Sequence, residues 1–197
     1  MIELVAFFGN PGAEYALNRH NAGRLLAEKS TRLSFVSWQK KFKGIYATVD
    51  GAIFGGASKK VHFLKPETFM NLSGDAVSSA AFFFKLPVEN ILIVHDEIDL
   101  ALGEVSLKFS GGLNGHNGLR SMRAAFNSVD FWRLRIGIGR PVDGDVRKWA
   151  LSDFTADEMP ALEAALAAAE DALTRTLVEG AEKLLPEWKK KKAYAVQ

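Results

Sequence analysis

The sequence predicts an α/β protein, a three-layer sandwich in which a twisted, mixed β-sheet is flanked by helices. Three observations predict it. Short β-rich runs alternate with helical periodicities along the chain. An Asp-Gly pair lies between two of those runs as a hairpin signal. With 197 residues, 48% of them hydrophobic, the chain can bury one large core. Alternation of this kind favours a sheet covered on both faces, and the inserted hairpin makes that sheet mixed.

The strand-like runs are 2–8 (IELVAFF), 44–50 (GIYATVD), 52–58 (AIFGGAS), 60–66 (KVHFLKP), 90–96 (NILIVHD), 104–109 (EVSLKF) and 133–139 (RLRIGIG). Asp50-Gly51 joins the second and third in a tight turn, because both residues tolerate positive φ. Helical patterns cover 21–33, 73–85, 117–127 and 156–184. Thr155 with Glu158 forms a capping box for the last of these. Gly180 weakens its middle and Pro186 ends it. No repeat, low-complexity tract or interior linker interrupts the chain. Residues 1–186 therefore read as one domain, and 187–197 as a loosely tethered basic tail.

Composition narrows the function classes. The absence of cysteine excludes disulfides and thiolate metal sites. The opening MIELVAFFGNPG lacks a basic leader and a long apolar stretch, and no apolar run approaches bilayer length. A cytoplasmic protein with no membrane association is expected. The net charge of +2 is too small to announce a nucleic-acid partner by itself. It is unevenly spread, with lysines in 38–44 and 187–194 and acidic residues in 153–171, and the plain reading of such runs is solvated surface.

Polar residues gather in four unusual segments. GNPGAEYALNRHNAG (9–23), KPETFMNLSG (65–74) and HDEIDL (95–100) each follow a strand, and GGLNGHNGLRS (111–121) precedes a helix. Ligands of open α/β sheets bind beyond the carboxyl ends of the strands, so one crevice can collect Asn10, His20, Asn71, Asp96, His116 and Asn117. Imidazole is the default general base near neutral pH, and a carboxylate on its other nitrogen fixes the tautomer; His20 with Asp96 supplies such a pair. Asparagine amides can grip a peptide backbone, hold a water or face an oxyanion. The chain has no cysteine, no G-x-S-x-G elbow, no phosphate loop ending in G-K-[ST] and no H-E-x-x-H, which favours direct attack by water over an acyl-enzyme. Plainer roles stand beside these. His62 reads as a structural strand residue, His95 as packing at a strand end, and Asn71, Ser73 and Asn117 as possible helix caps. A metal site from His95, Asp96, Asp99 and His116 has a spacing that matches no known ligand pattern.

Together with FWRLRIGIGRP (131–141), those four segments stand in the order and spacing of bacterial peptidyl-tRNA hydrolase, and the chain resembles that family over residues 2–154. The resemblance implies an ester hydrolase that frees tRNA from a stranded peptide, acting as a monomer with no metal or other cofactor. By position it implies His20 as catalytic base, Asp96 as the carboxylate that keeps it basic, and Asn10 as the residue that tells N-blocked from free aminoacyl-tRNA. Tyr15, Phe69 and Asn71 would line the site for the tRNA 3′ end and peptide backbone, with Met70 as an apolar wall. Asn117 would hold substrate and the attacking water, and His116 would stand behind the reacting groups or touch substrate. Lys108 and Arg135 would grip the tRNA phosphate end. An alternative is an inactive RNA-binding relative serving in splicing or assembly; a small-molecule esterase is another. The chain departs from the family pattern at Phe7, at Asn18 (commonly threonine), at Asn114 (commonly glycine) and in WALSDF (149–154).

Overall fold

The computed structural model describes residues 1–142 and 144–192. Its strands are β1 (Leu4–Phe7), β2 (Gln39–Lys41), β3 (Gly44–Asp50), β4 (Lys60–Pro66), β5 (Ile91–Glu97), β6 (Glu104–Phe109), β7 (Trp132–Gly137) and β8 (Lys191–Lys192). They form one sheet in the order β2-β3-β4-β1-β5-β7-β6-β8. The central strands β4, β1, β5 and β7 are parallel; β3 and β6 join them antiparallel, and β2 and β8 pair antiparallel with β3 and β6 at the two edges. β1 and β5 are buried throughout; the apolar runs Leu4–Phe7 and 91–94 suit a sheet covered on both faces, and β5 ends on three buried polar residues, His95, Asp96 and Glu97.

The helices are α1 (Ala22–Lys29), α2 (Ser73–Phe84), α3 (Asn117–Phe126), α4 (Val146–Ala150), α5 (Met159–Glu179) and α6 (Ala181–Trp188). Strand alternation divides the core. Val5, Phe7, Leu92, Val94, Leu134 and Ile136 pack against α1, α5 and α6. Leu4, Ala6, Ile91 and Ile93 pack against the small-residue stripe of α2 (Ala76, Val77, Ala80) and against Leu119 and Met122 of α3. The expected three layers are present. Among the described residues no helix is long and apolar enough to cross a membrane.

Four expectations need correction. No strand forms over 52–58. Asp50 instead accepts a hydrogen bond from the Ala52 amide (2.9 Å) and caps a 3-10 turn, Gly51–Phe54, while β3 pairs directly with β4, Asp50 opposite Lys60. The apolar residues there are a loop that buries Phe54 against Phe63. The helix expected over 156–184 is split at Gly180 (φ 97°) into α5 and α6. Pro186 does not end it: the proline is exposed inside α6, where its missing N–H removes one hydrogen bond, and the helix runs on to Trp188. Trp188 is 1% exposed, so this residue, beyond the boundary at 186, belongs to the core. Residues 191 and 192 pair along β6. The rest of the expected tail, 193–197, lies outside the described residues.

Candidate active site

The site forms where β1 and β5 end. The chain leaves β1 through Phe8 and Asn10, β5 ends on His95-Asp96-Glu97, and α1 starts directly above. The Arg24 amide donates to the Phe8 carbonyl (2.8 Å). A Cβ on Gly23 would lie 2.2 Å from the Val94 carbonyl, so glycine is what lets α1 settle onto the strands. The 3-10 turn before α1, Arg19–Asn21, carries His20. Arg19 anchors that turn from behind. It is buried, lies 3.8 Å over the Trp149 ring, donates from Nε to Ser152 Oγ (3.1 Å) and pairs with Glu158 (2.8 Å). Two of the departures from the family pattern prove to be one contact, Asn18 Nδ2 donating to Asp153 Oδ1 (2.5 Å).

One buried carboxylate receives two histidines. His20 Nδ1 lies 2.9 and 3.0 Å from the two oxygens of Asp96, and His116 Nε2 lies 3.0 Å from Oδ1. The partners fix the tautomers. His116 N-caps α3, its Nδ1 accepting from the amides of Gly118 (3.1 Å) and Leu119 (3.3 Å). An amide can only donate, so the His116 proton is on Nε2 and points at Asp96. The His20 proton on Nδ1 likewise points at Asp96, which leaves its Nε2 lone pair for the cleft. Burial would push His20 down, but the charge and hydrogen bond of Asp96 outweigh it and hold the imidazole above its ordinary 6.5. Burial would raise Asp96, yet the two imidazoles and their hydrogen bonds keep it well below 3.8. His20, Asp96 and His116 present atoms within 4.8 Å of one another, close enough to hold a metal. The nitrogens facing the carboxylate carry protons, however, and that chemistry is hydrogen bonding rather than ligation.

Asn10 is fixed by a residue that the sequence did not single out. Asn21 Oδ1 accepts from the Asn10 amide (2.8 Å) and Asn21 Nδ2 donates to the Asn10 carbonyl (3.0 Å). Asn10 Oδ1 in turn accepts from the Met70 amide (2.8 Å), which orients its Nδ2 donor away from that bond. Met70 is buried, and a Cβ on Gly118 would come within 2.6 Å of its sulfur and 2.7 Å of the Phe8 ring. That close approach is why α3 opens with a glycine in its first turn. The loop before it takes positive φ at Ser110 (56°), Gly111 (97°), Asn114 (46°) and Gly115 (75°). Asn114 keeps the left-handed turn that glycine would have made, and its side chain donates to Asp99 (2.8 Å).

A cleft of about 660 Å³ is lined by Asn10, Tyr15, His20, Phe69, Met70, Asn71, Asp96, His116 and Asn117, all expected to converge. Tyr15 is half-buried, and Phe69, Asn71 and Asn117 stand exposed at the rim. The proposed caps are corrected: α2 starts with no side-chain cap, and His116, not Asn117, caps α3. Lys108 and Arg135 do not line the cleft. They lie nearby on β6 and β7, where Arg135 donates to Ser106 (2.7 Å) and pairs with Glu97 (3.4 Å). Lys108 lies against Gly111, and burial together with the charges of Arg135 and Arg133 holds it below 10.5. Arg133, passed over in the sequence, is buried under the glycine loop and donates to the carbonyls of Gly111 (2.9 Å) and Gly112 (2.6 Å). Burial lowers it to about 10. Two arginines alternating within an apolar strand were the available signal. His62 is a core residue, stacked on Phe84 (3.8 Å) and bonded to Thr48 (2.9 Å).

An imidazole on the wall of a cleft, paired with a buried carboxylate at the carboxyl edge of a mixed α/β sheet, is the arrangement of a general base and fits the class of hydrolases. Comparison with known proteins narrows the class. The family model described as peptidyl-tRNA hydrolase matches residues 4–195. A peptidyl-tRNA hydrolase of Treponema pallidum (strain Nichols) is 43% identical over 97% of this chain and 96% of its own. One of Desulfitobacterium hafniense (strain Y51) is 41% identical over 93% and 97%. The crystal structure of peptidyl-tRNA hydrolase from Acinetobacter baumannii superposes with a TM-score of 0.86 at 34% identity, covering 98% of this chain and 97% of that one. The chain belongs to the peptidyl-tRNA hydrolase family.

Proposed function

We propose that this protein hydrolyses the ester joining a peptide, or an N-blocked amino acid, to the 3′-terminal ribose of tRNA, and so returns tRNA from stalled translation. The observation that carries the reading is the 2.9 Å bond from His20 to Asp96, with the second His20 nitrogen open to a cleft walled by asparagines. His20 Nε2 takes a proton from a water held beside Asn71 or Asn117. The water oxygen attacks the ester carbonyl, and amide donors of the cleft stabilise the oxyanion; one such preorganised donor contributes about 3 kcal/mol. Asp96 stabilises the imidazolium. The tetrahedral intermediate collapses as the ribose oxygen leaves and takes the proton back from His20. A ribose alkoxide leaves more readily than an amine anion, so the step needs no stronger acid.

Asn10 is suited to test the N-blocked end of the substrate, with Tyr15, Phe69 and Met70 as walls and His116 as the group that steadies Asp96. Lys108 and Arg135 supply charge for the tRNA phosphates without reading bases. Every residue the reaction needs comes from one chain, which supports action as a monomer, in the cytoplasm where charged tRNA is found. Nothing favours the inactive RNA-binding alternative, since the reactive residues His20, Asp96, Asn10 and Asn117 all meet in one cleft.

The test is release of N-acetylated amino acid from charged tRNA without added metal. His20→Ala should slow turnover by roughly 10²- to 10⁴-fold and leave tRNA affinity largely unchanged. Hydrolysis by that variant at the wild-type rate would contradict the reading.

A further inference from the structure

His95 has no part in the mechanism above, yet it is almost completely buried beside it. It is 1% exposed, and its ring meets the His116 ring edge-on, centroids 4.9 Å apart at 78°. Its Nδ1 lies 2.6 Å from the carbonyl oxygen of Asp96, the next residue, and a carbonyl can only accept, so His95 carries its proton on Nδ1.

That carbonyl is an exceptional one. The Phe8 amide donates to Val94 O (2.9 Å) and the Ile138 amide to Glu97 O (3.1 Å), so successive β5 carbonyls turn alternately to β1 and β7. The alternation turns the Asp96 carbonyl to the β1 side, where the chain has already left the sheet. The next amide that continued pairing would offer is that of Asn10, and it donates instead to Asn21 Oδ1 (2.8 Å). A buried carbonyl left without a partner is destabilising, and here it belongs to the residue on which both site histidines depend.

We propose that His95 is a positioning residue for hydrolysis: its Nδ1–H replaces the strand bond that Asp96 lacks, and its ring backs His116, so that the carboxylate meets both imidazoles in register. The proposal rests on the reading of His20 as the base. Burial first, then the neighbouring His116, pushes His95 well below 6.5, so its ring keeps one neutral tautomer. Its Nε2 is buried and has no partner among the described residues, so Nδ1 is the ring atom that does the holding.

Two variants separate the hydrogen bond from simple packing. His95→Leu fills the space without a donor, whereas His95→Asn restores an N–H close to the position of Nδ1. With N-acetylaminoacyl-tRNA, His95→Leu should lower kcat by about tenfold to a hundredfold, the penalty of a misplaced catalytic group, with KM within about twofold of wild type. His95→Asn should recover most of that kcat. Wild-type kcat in the leucine variant, or equal losses in both variants that follow their melting temperatures, would overturn the proposal. Imidazole nitrogen NMR of the unmodified protein gives a reading that needs no variant. A proton on His95 Nδ1 is expected, and one on Nε2 would overturn the proposal even if the leucine chain fails to fold. Wild-type protein that releases no N-acetylamino acid would instead count against the proposed function, and the NMR result would stand apart from it.

Discussion

Three histidines surround Asp96, His20 and His95 with the proton on Nδ1 and His116 with it on Nε2, and each tautomer follows from partners that can act in only one sense. His116 accepts from two amides, His95 donates to a carbonyl, and His20 donates to a carboxylate. Only His20 is left with a lone pair facing substrate. Because Asp96 raises His20 above 6.5, the base is unprotonated only above that raised value. Turnover should therefore climb through a limb centred above pH 6.5 and then level off, which a pH–rate profile of kcat/KM under single-turnover conditions reads directly. Stability runs the other way: the His20–Asp96 contribution is fully present below 6.5 and is lost as pH rises through the folded value. The pair is thus tightest as imidazolium, the form created when water is deprotonated. A limb at or below 6.5 would show that Asp96 does not act on His20 as described. His20 and Asp96 were legible in the sequence because their chemistry is specific. His95 was not, since the carbonyl it serves is left open only by the departure of β1 from the sheet.

Elements explain what isolated residues do not. Part of each lysine run read as solvated surface lies in an edge strand: β2 is Gln39–Lys41, exposed throughout, and β8 is Lys191–Lys192. Lysine on an edge strand discourages pairing with another chain. No periodicity in 38–44 or 187–194 marks a strand, because each is made by its neighbour, β3 in one case and β6 in the other. The run 52–58 erred in the opposite sense, its apolar residues serving a loop that buries Phe54. Helix α3 shows how an element sets the site. Its glycine Gly118 allows Met70 and Phe8 to approach while His116 caps the same end. Gly118→Ala should cost about 1–3 kcal/mol through overpacking, seen as a lower melting temperature. It should also lower kcat, because the methyl group would push the Met70 wall into the cleft. A variant matching wild type in both measurements would show that the contact yields freely.

At the scale of the whole molecule, the sheet order places the polar ends of β1 and β5 together, and the strands beside them carry the cations. Lys108 and Arg135 share one face of β6 and β7 next to the cleft, with Arg133 buried beside them, while the net charge is only +2. Affinity for tRNA should accordingly come from this patch and fall as salt rises through counterion release. Lys108→Ala should weaken binding and reduce the slope of log K against log salt by about 1; titration of uncharged tRNA at several salt concentrations measures it, and an unchanged slope would remove Lys108 from the interface. The layered fold and the convergence on one cleft were legible because strand period and strand-end position are local properties. Arg133 escaped notice because its role, holding the Gly111 and Gly112 carbonyls, depends on a loop that returns over the sheet.

The most direct measurement of the central claim is kcat for Asp96→Asn on N-acetylaminoacyl-tRNA. The amide keeps the shape but cannot hold the His20 proton on Nδ1 as a carboxylate does. A loss of about 10²-fold or more in kcat, no larger than that of His20→Ala and with KM little changed, is predicted. Turnover within a few-fold of wild type would contradict a carboxylate-steered imidazole as the source of the attacking hydroxide.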